Sequence, residues 1–257
     1  MSRVTRTVKR FPASALALSY GDFMRLHVLF PVGLTVGLAV GHLGCSRTGD
    51  VAGGTELRTV AITLSDGDVL LDETTLLYDV VLRRESLPEG WHAETGNWGP
   101  TPEGLVGSIA TERAAVIWCG RPFPSDVAVR FVAEAMPPHQ NDANAFFRAA
   151  GSVYGPGETS AWIAGIAGWH VFDDGLEKHP AGPSWRVRGR PLAAGRPVEV
   201  IAGVRDETVF LWKDGRLLLE RRDPAPLNAA AHDRVGLGTW NSEVRFLRLS
   251  VYRIDGS

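Results

Sequence analysis

The stretch Val209-Phe210-Leu211-Trp212-Lys213-Asp214-Gly215-Arg216-Leu217-Leu218-Leu219-Glu220 decides the fold class. Two apolar runs flank Asp214-Gly215, the pair that a two-residue type I′ turn favours because both of its central positions take positive φ. An antiparallel hairpin is therefore expected here, and the same signals recur outward along the chain. Upstream, Val127, Val129, Phe131, Ala133 and Ala135 share one face of a strand that carries Arg130 and Glu134 on the other, the period of two of a half-buried strand. Downstream, Leu247, Leu249 and Val251 are expected on one face of a closing strand, with Arg248 and Ser250 opposite. Further strands are expected at Leu57–Leu64, Val69–Leu71, Leu76–Leu82, Ala114–Trp118, Ala143–Ala149 and Ala161–Ile166, and then at Val198–Val204, Thr208–Trp212, Leu217–Arg221, Val235–Thr239 and Val244–Ile254. After residue 45 no window shows a sustained 3.6-residue apolar period, and only Ala225–Ala231 reads as a short helical turn. Many short strands with 29 Gly and 16 Pro between them predict an all-β, two-sheet antiparallel β-sandwich of jelly-roll type, with a closed barrel as the alternative. There is no internal repeat, which argues against a propeller.

The N-terminus reads differently. Val28–Gly41 (VLFPVGLTVGLAVG) is fourteen residues without a charge, preceded by Arg3, Arg6, Lys9, Arg10 and Arg25. A basic region, a short apolar run and small residues after it are the parts of a secretory signal, and the run is shorter than the roughly 20 residues of a spanning helix. It ends in Leu43-Gly44-Cys45, which resembles a bacterial lipobox, with His42 where an apolar residue is usual. Residues 1–45 are thus expected to be a signal peptide with lipidation at Cys45, residues 46–56 a flexible tether, and residues 57–257 a β-sandwich domain. A buried helix or an uncleaved anchor is the plainer alternative, and Met24 is a second candidate start. The expected location is outside the cytoplasm, as a periplasmic or outer-membrane lipoprotein of the cell envelope. The whole chain carries a net charge of −2. Without the basic leader the balance is 22 basic to 28 acidic residues, about −6, which speaks against nucleic acid as a partner. With Cys45 lipidated, Cys119 has no disulfide partner and reads as a buried free thiol.

Motif chemistry is sparse. The sequence has no Gly-x-Ser-x-Gly elbow, P-loop, His-Glu-x-x-His, Cys-x-x-Cys or Glu-x-Asp-x-x-Glu, so no recognised catalytic motif is present. What stands out is an aromatic and polar concentration. It comprises His139, Asn141, Asp142, Asn144 and Arg148, then Trp169, His170, Asp173, Asp174 and Trp185, and finally Trp240-Asn241. Sugars offer C–H faces to indole rings and hydroxyls to amides, carboxylates and guanidinium groups, and this set supplies both. Asn141, Asn144, Arg148, Trp169, Trp185, Trp240 and Asn241 are expected to bind substrate, with Asn144 and Arg148 projecting together from one strand. His139, Asp142 and His170 are the acid/base candidates. Asp173-Asp174 could ligate calcium, although a solvated turn explains them as simply. Likewise Asn141-Asp142 could cap a turn, and Asn144 and Arg148 could form a buried network. Trp91, Trp98, Trp118 and Trp212 sit in strand contexts and are expected in the core, and Trp162 is open between core and site.

The order of Trp91, Gly96-Asn97-Trp98, Gly104-Leu105, Ile117-Trp118, Pro122-Phe123, Asp126, Phe131, Asn144–Arg148, Asp214-Gly215, Gly236-Leu237 and Phe246–Val251 resembles the concanavalin A-like lectin and glucanase jelly rolls. Among these it is most similar to the 3-keto-disaccharide hydrolase type of domain, over roughly residues 76–255. That resemblance implies a glycan ligand and either binding or cleavage of glycosides or 3-keto-glycosides. The competing expectation is a non-enzymatic envelope or adhesion module that contacts protein.

Overall fold

Alternation in the sequence becomes layering in space. A computed structural model describes residues 58–109, 114–154, 159–170 and 172–254. The signal and tether expectations, Cys45 included, lie outside them. Every strand pairing among these residues is antiparallel, and they contain no helix. The first pair, β1 (Val60–Leu64) and β2 (Gly67–Leu71), forms a hairpin of its own. One sheet is built from β4 (His92–Thr95), β7 (Ala114–Trp118), β9 (Ala143–Ala149), β10 (Ala161–Gly168), β11 (Asp173–His179), β12 (Ser184–Val187) and β16 (Arg234–Trp240), in the order β12-β11-β10-β9-β16-β7-β4. The other holds β5 (Asn97–Thr101), β6 (Gly104–Ser108), β8 (Val127–Ala135), β13 (Val198–Arg205), β14 (Thr208–Lys213), β15 (Arg216–Arg222) and β17 (Glu243–Arg253), in the order β15-β14-β13-β8-β17-β6-β5. β3 (Leu76–Val81) pairs with the C-terminal half of β17, on the edge whose N-terminal half pairs with β6.

The main core lies between the sheets. Val127, Val129, Phe131, Ala133 and Ala135 of β8 face Ala143, Ala145 and Phe147 of β9 and their neighbours across it, as the alternation predicts. Cys119 is a buried free thiol in this layer, and burial pushes it up from its ordinary value. Trp162 belongs here too, stacked on Trp185 with ring centroids 5.5 Å apart. Asp214 (φ 47°) and Gly215 (φ 89°) close the β14–β15 hairpin with Lys213 opposite Arg216, so the turn is of the expected two-residue kind.

Three expectations need correction. Leu247 does not share a face with Leu249 and Val251: a bulge lies between Phe246 and Arg248, so Phe246 faces the core before it and Leu249 and Val251 after it. An inserted residue reverses the phase of a period-two pattern. Strands β4, β5, β6, β11 and β12 occur where none was expected. β5 carries Pro100 and β12 is only four residues long, both tolerated because these strands form sheet edges. β11 (DDGLEKH) is too polar to signal a strand. Finally, Ala225–Ala231 holds a single hydrogen-bonded turn on Asn228 and no helix.

Candidate functional site

The outer face of the seven-stranded sheet is ordered by register. One row across the strands runs Val116, Gly238, Asn144, Gly165, Gly175, Arg186; the next runs Trp118, Gly236, Phe146, Ile163, Glu177, Ser184. Glycines at Gly165 and Gly175 leave a flat floor, and the Trp169 indole lies on it. A Cβ on Gly165 would stand 2.8 Å from that ring and 2.6 Å from Asn144 Oδ1, and one on Gly175 would stand 3.0 Å from the ring. Trp169 reaches this position from a left-handed backbone (φ 45°) just after β10. Its Nε1 donates to Glu177 Oε2 at 3.0 Å, and the Arg186 guanidinium stacks over its face at 5.0 Å. That stacking is a cation–π contact, and Arg186 also lies 3.7 Å from Glu177.

Around this ring the fold leaves a cleft of about 510 Å³ lined by Asn141, Asp142, Asn144, Trp169, His170, Trp240 and, from the residues the sequence did not signal, Tyr154, Ile163, Glu177, His179, Arg186 and Ala114. Tyr154 forms one wall, with ring centroids 5.0 Å from His179 and 5.7 Å from Trp240. Trp240 is 42% exposed. Tyr154 is held from below by Glu94, whose carboxylate accepts hydrogen bonds from Trp118 Nε1 (2.6 Å), Ser152 Oγ (2.6 Å) and the Tyr154 amide (3.0 Å). Burial pushes the Glu94 carboxyl up, but these donors outweigh it and hold the group below its ordinary value.

Asp142 occupies the inner end of the cleft with a left-handed backbone (φ 73°) and 6% exposure. Burial raises its carboxyl to about 7, against hydrogen bonds from the Trp240 amide and the Asn144 side chain. Asn141 is fixed by Ser242, whose hydroxyl donates to its carbonyl at 2.8 Å.

The remaining expected site residues are elsewhere. Arg148 does not project beside Asn144. It takes φ 50° at a bulge in β9, which turns the guanidinium away to pair with Asp126, where it is 4% exposed. Burial lowers its pKa from the ordinary value, partly offset by Asp126. Trp185 is opposite Leu176 and faces the core; its neighbour Arg186 is the one that faces the cleft. His139 sits in the β8–β9 loop and Asn241 in the β16–β17 turn, and neither lines the cleft. Asp174 is tied to the Ala167 amide (2.9 Å) and the Lys213 ammonium (3.0 Å), Asp173 does not line the cleft, and no cluster of three or more metal-ligating side chains occurs among the described residues. The lysine already balances the Asp174 carboxylate, which gives Asp174 a structural tie between β11 and β14.

No family model matches the chain, and no curated protein matches it. Solved structures do. A Bacillus subtilis protein of unknown function with a galectin-like fold is 18% identical over 71% of this chain and 98% of its own (TM-score 0.57). The carbohydrate-binding module CBM66 of Bacillus subtilis is 16% identical over 63% and 95% (TM-score 0.51). The Bacillus licheniformis β-glucanase is 9% identical over 68% and 98% (TM-score 0.52). The fold is a concanavalin A-like jelly roll. Identities this low speak to the fold alone, and none of these likenesses singles out the 3-keto-disaccharide hydrolase type.

Proposed function

We propose that this β-sandwich binds carbohydrate in the cleft on the outer face of its seven-stranded sheet. The observation that carries the reading is the Trp169 indole set close against Gly165 and Gly175 in a cleft it shares with Tyr154 and the 42% exposed Trp240, with Arg186 over its face and Glu177 at its Nε1. Aromatic rings in an open cleft for the C–H faces of a sugar, beside donors and acceptors for its hydroxyls, are the recognition chemistry of such ligands. That a carbohydrate-binding module and a β-glucanase share the fold supports the reading without deciding it, since one fold hosts many activities.

Binding is preferred to cleavage on geometry. Among the described residues, the two carboxyl groups that line the cleft belong to Asp142 and Glu177. Glu177 aligns with Phe146 through Ile163, so it lies four residues along and two strands across from Asp142, roughly 13 Å by 10 Å at the backbone. Paired glycosidase carboxyls stand only about 5–9.5 Å apart. A glycan array probed with residues 46–257, with glucosides and 3-keto-glucosides assayed for turnover in parallel, tests both points. The expected result is saturable glycan binding that Trp169→Ala weakens by about thirtyfold or more, with no turnover. An array without hits overturns the proposal. The chain is further proposed to be exported and anchored through lipid on Cys45, which palmitate labelling of the wild type and of Cys45→Ala in a bacterial host checks.

A further inference from the structure

Arg186 is held in the cleft by an aromatic ring and not by a carboxylate. Its guanidinium stacks over the Trp169 indole at 5.0 Å. Among the described residues its nearest carboxylate oxygen is Glu177 Oε2 at 3.7 Å, beyond hydrogen-bond distance. That oxygen already accepts from Trp169 Nε1 at 3.0 Å. Arg130, Arg245 and Arg248 differ, since they give their donors to Glu199, Glu134 and Asp79. Arg186 makes no hydrogen bond among the described residues. Stacking fixes the plane of its fork, and the five N–H donors lie in that plane, directed past the ring.

Two more cations follow on the same edge of the sheet. Arg188 and Arg190 come just after β12, both exposed and neither in an ion pair among the described residues. Three arginines thus fall within five residues of a chain whose net charge is −2. The acids nearby leave them uncompensated. Asp174 is paired with Lys213, Asp142 is only 6% exposed, and Glu177 is engaged by Trp169, so Asp173 at the start of β11 is the one left. We infer that the cleft selects acidic glycans, with Arg186 receiving a uronate carboxylate on its guanidinium fork. A carboxylate is planar and takes two parallel N–H···O bonds from such a fork, which adds geometric selection to charge. A hydroxyl offers no such second oxygen and leaves the cation unbalanced. At the other end of the cleft Trp240 closes β16, four strands from β12 and about 19 Å away at the backbone. A ligand that meets both ends is an oligosaccharide and not a single sugar.

This inference rests on the carbohydrate reading, and one experiment separates their failures. Hexasaccharides of galacturonate, mannuronate and glucuronate are titrated calorimetrically into the full chain, each beside its carboxyl-reduced form, which differs only at that group. Chitohexaose, laminarihexaose and a sulfated galactan oligosaccharide complete the set. The expected result is a uronate oligomer that binds about tenfold or more tightly than its reduced form. That preference is expected to weaken as salt rises from about 0.02 to 0.3 M and to vanish in Arg186→Gln, which keeps donors but not charge. Arg186→Lys, which keeps charge without the fork, is expected to retain only part of it. A reduced or neutral oligomer that binds as tightly as the uronates, or a sulfated one that binds more tightly, overturns the inference and leaves the carbohydrate reading standing. A preference that survives Arg186→Gln, or that Arg186→Lys keeps in full, overturns it in the same way, because the fork would not then be its source. Binding of none of the set overturns the carbohydrate reading and this inference with it.

Discussion

The two sheets share a core but treat their outer faces in opposite ways. Outside the eight-stranded sheet, Ala128, Ile201, Phe210, Trp212 and Tyr252 are roofed by Ile62, Leu64, Val69 and Leu71 of the β1–β2 hairpin, a second apolar layer. Outside the seven-stranded sheet, only one half is apolar and covered: Val116, Trp118, Phe146 and Ile163 pack under Val153 and Tyr154. The other half carries glycines, the Trp169 indole packed against them and polar side chains. The chain completes the first face itself with hydrophobic burial and leaves on the second a cleft whose floor is built from absent side chains. With the cleft as the proposed glycan site, stability and recognition fall to different faces, and substitutions can break that division.

The largest expected effect is on the roofed face. Phe210 is fully buried there, and Phe210→Ala is expected to cost about 3–5 kcal/mol, read as a lower urea midpoint with glycan affinity unchanged in the protein that remains folded. A parallel loss of affinity would show that the two faces are coupled. Trp169→Ala is the converse. It removes the ring on which Glu177 and Arg186 are arranged in the cleft, and its expected effect is an affinity loss of about 2 kcal/mol or more, near thirtyfold, with a shift in stability below about 1 kcal/mol because the ring is only half-buried on one side of the sheet.

How much of this was legible in the sequence follows the same division. The core strands announced themselves because burial on one face imposes a period of two, as in β8, and because Asp214-Gly215 has few conformational alternatives. The bulge at Leu247 was invisible since an inserted residue leaves composition untouched and only reverses phase. In the cleft, Asn141, Asp142, Asn144, Trp169, His170 and Trp240 were legible as an aromatic and polar cluster, and they do converge. Arg148 and Trp185 were misplaced by a left-handed residue and by a strand too short to set its own parity. Glu177, His179 and Arg186 were missed because β11 and β12 carry no apolar pattern. Glu94 and Tyr154 were missed because their role depends on contacts across 60 residues of chain. The signal that was available and unused is the glycine pair, since Gly in a strand often marks close approach of another group.

Glu94 joins the covered and open halves of the same sheet, so its replacement tests where one ends and the other begins. Glu94→Gln keeps the shape but weakens charge-assisted bonds to Trp118, Ser152 and Tyr154, with an expected cost of about 1–2 kcal/mol in stability and a few-fold loss of affinity as the Tyr154 wall loosens. Because the folded carboxyl lies below its ordinary value, its contribution is present above the unfolded pKa and is lost as pH falls through the folded one. The stability gap between wild type and Glu94→Gln is therefore expected to close in the acid range below the ordinary glutamate value. Denaturation midpoints of both proteins from neutral to acid pH check this.

The smallest expected effect separates floor from fold most cleanly. In the interior of a strand, Gly165→Ala removes backbone freedom from the unfolded chain, which by itself stabilises by roughly 0.4–1 kcal/mol. The new methyl would stand 2.6 Å from Asn144 Oδ1 and 2.8 Å from the Trp169 ring, so both must move. Neither is rigid backbone, and the indole, held from outside by Glu177 and Arg186, can lift away from the sheet by a few tenths of an ångström. The two contributions oppose each other in the folding free energy and are expected to leave the urea midpoint almost unchanged. In the cleft nothing offsets the displacement: a lifted indole intrudes on the space of a sugar ring, and an affinity loss of about five- to tenfold, roughly 1 kcal/mol, is expected. Calorimetry and denaturation on the same sample give the answer. A protein that binds as wild type while losing stability would mean that the indole stays down and the strand yields, placing Gly165 in the fold and not in the floor of the site.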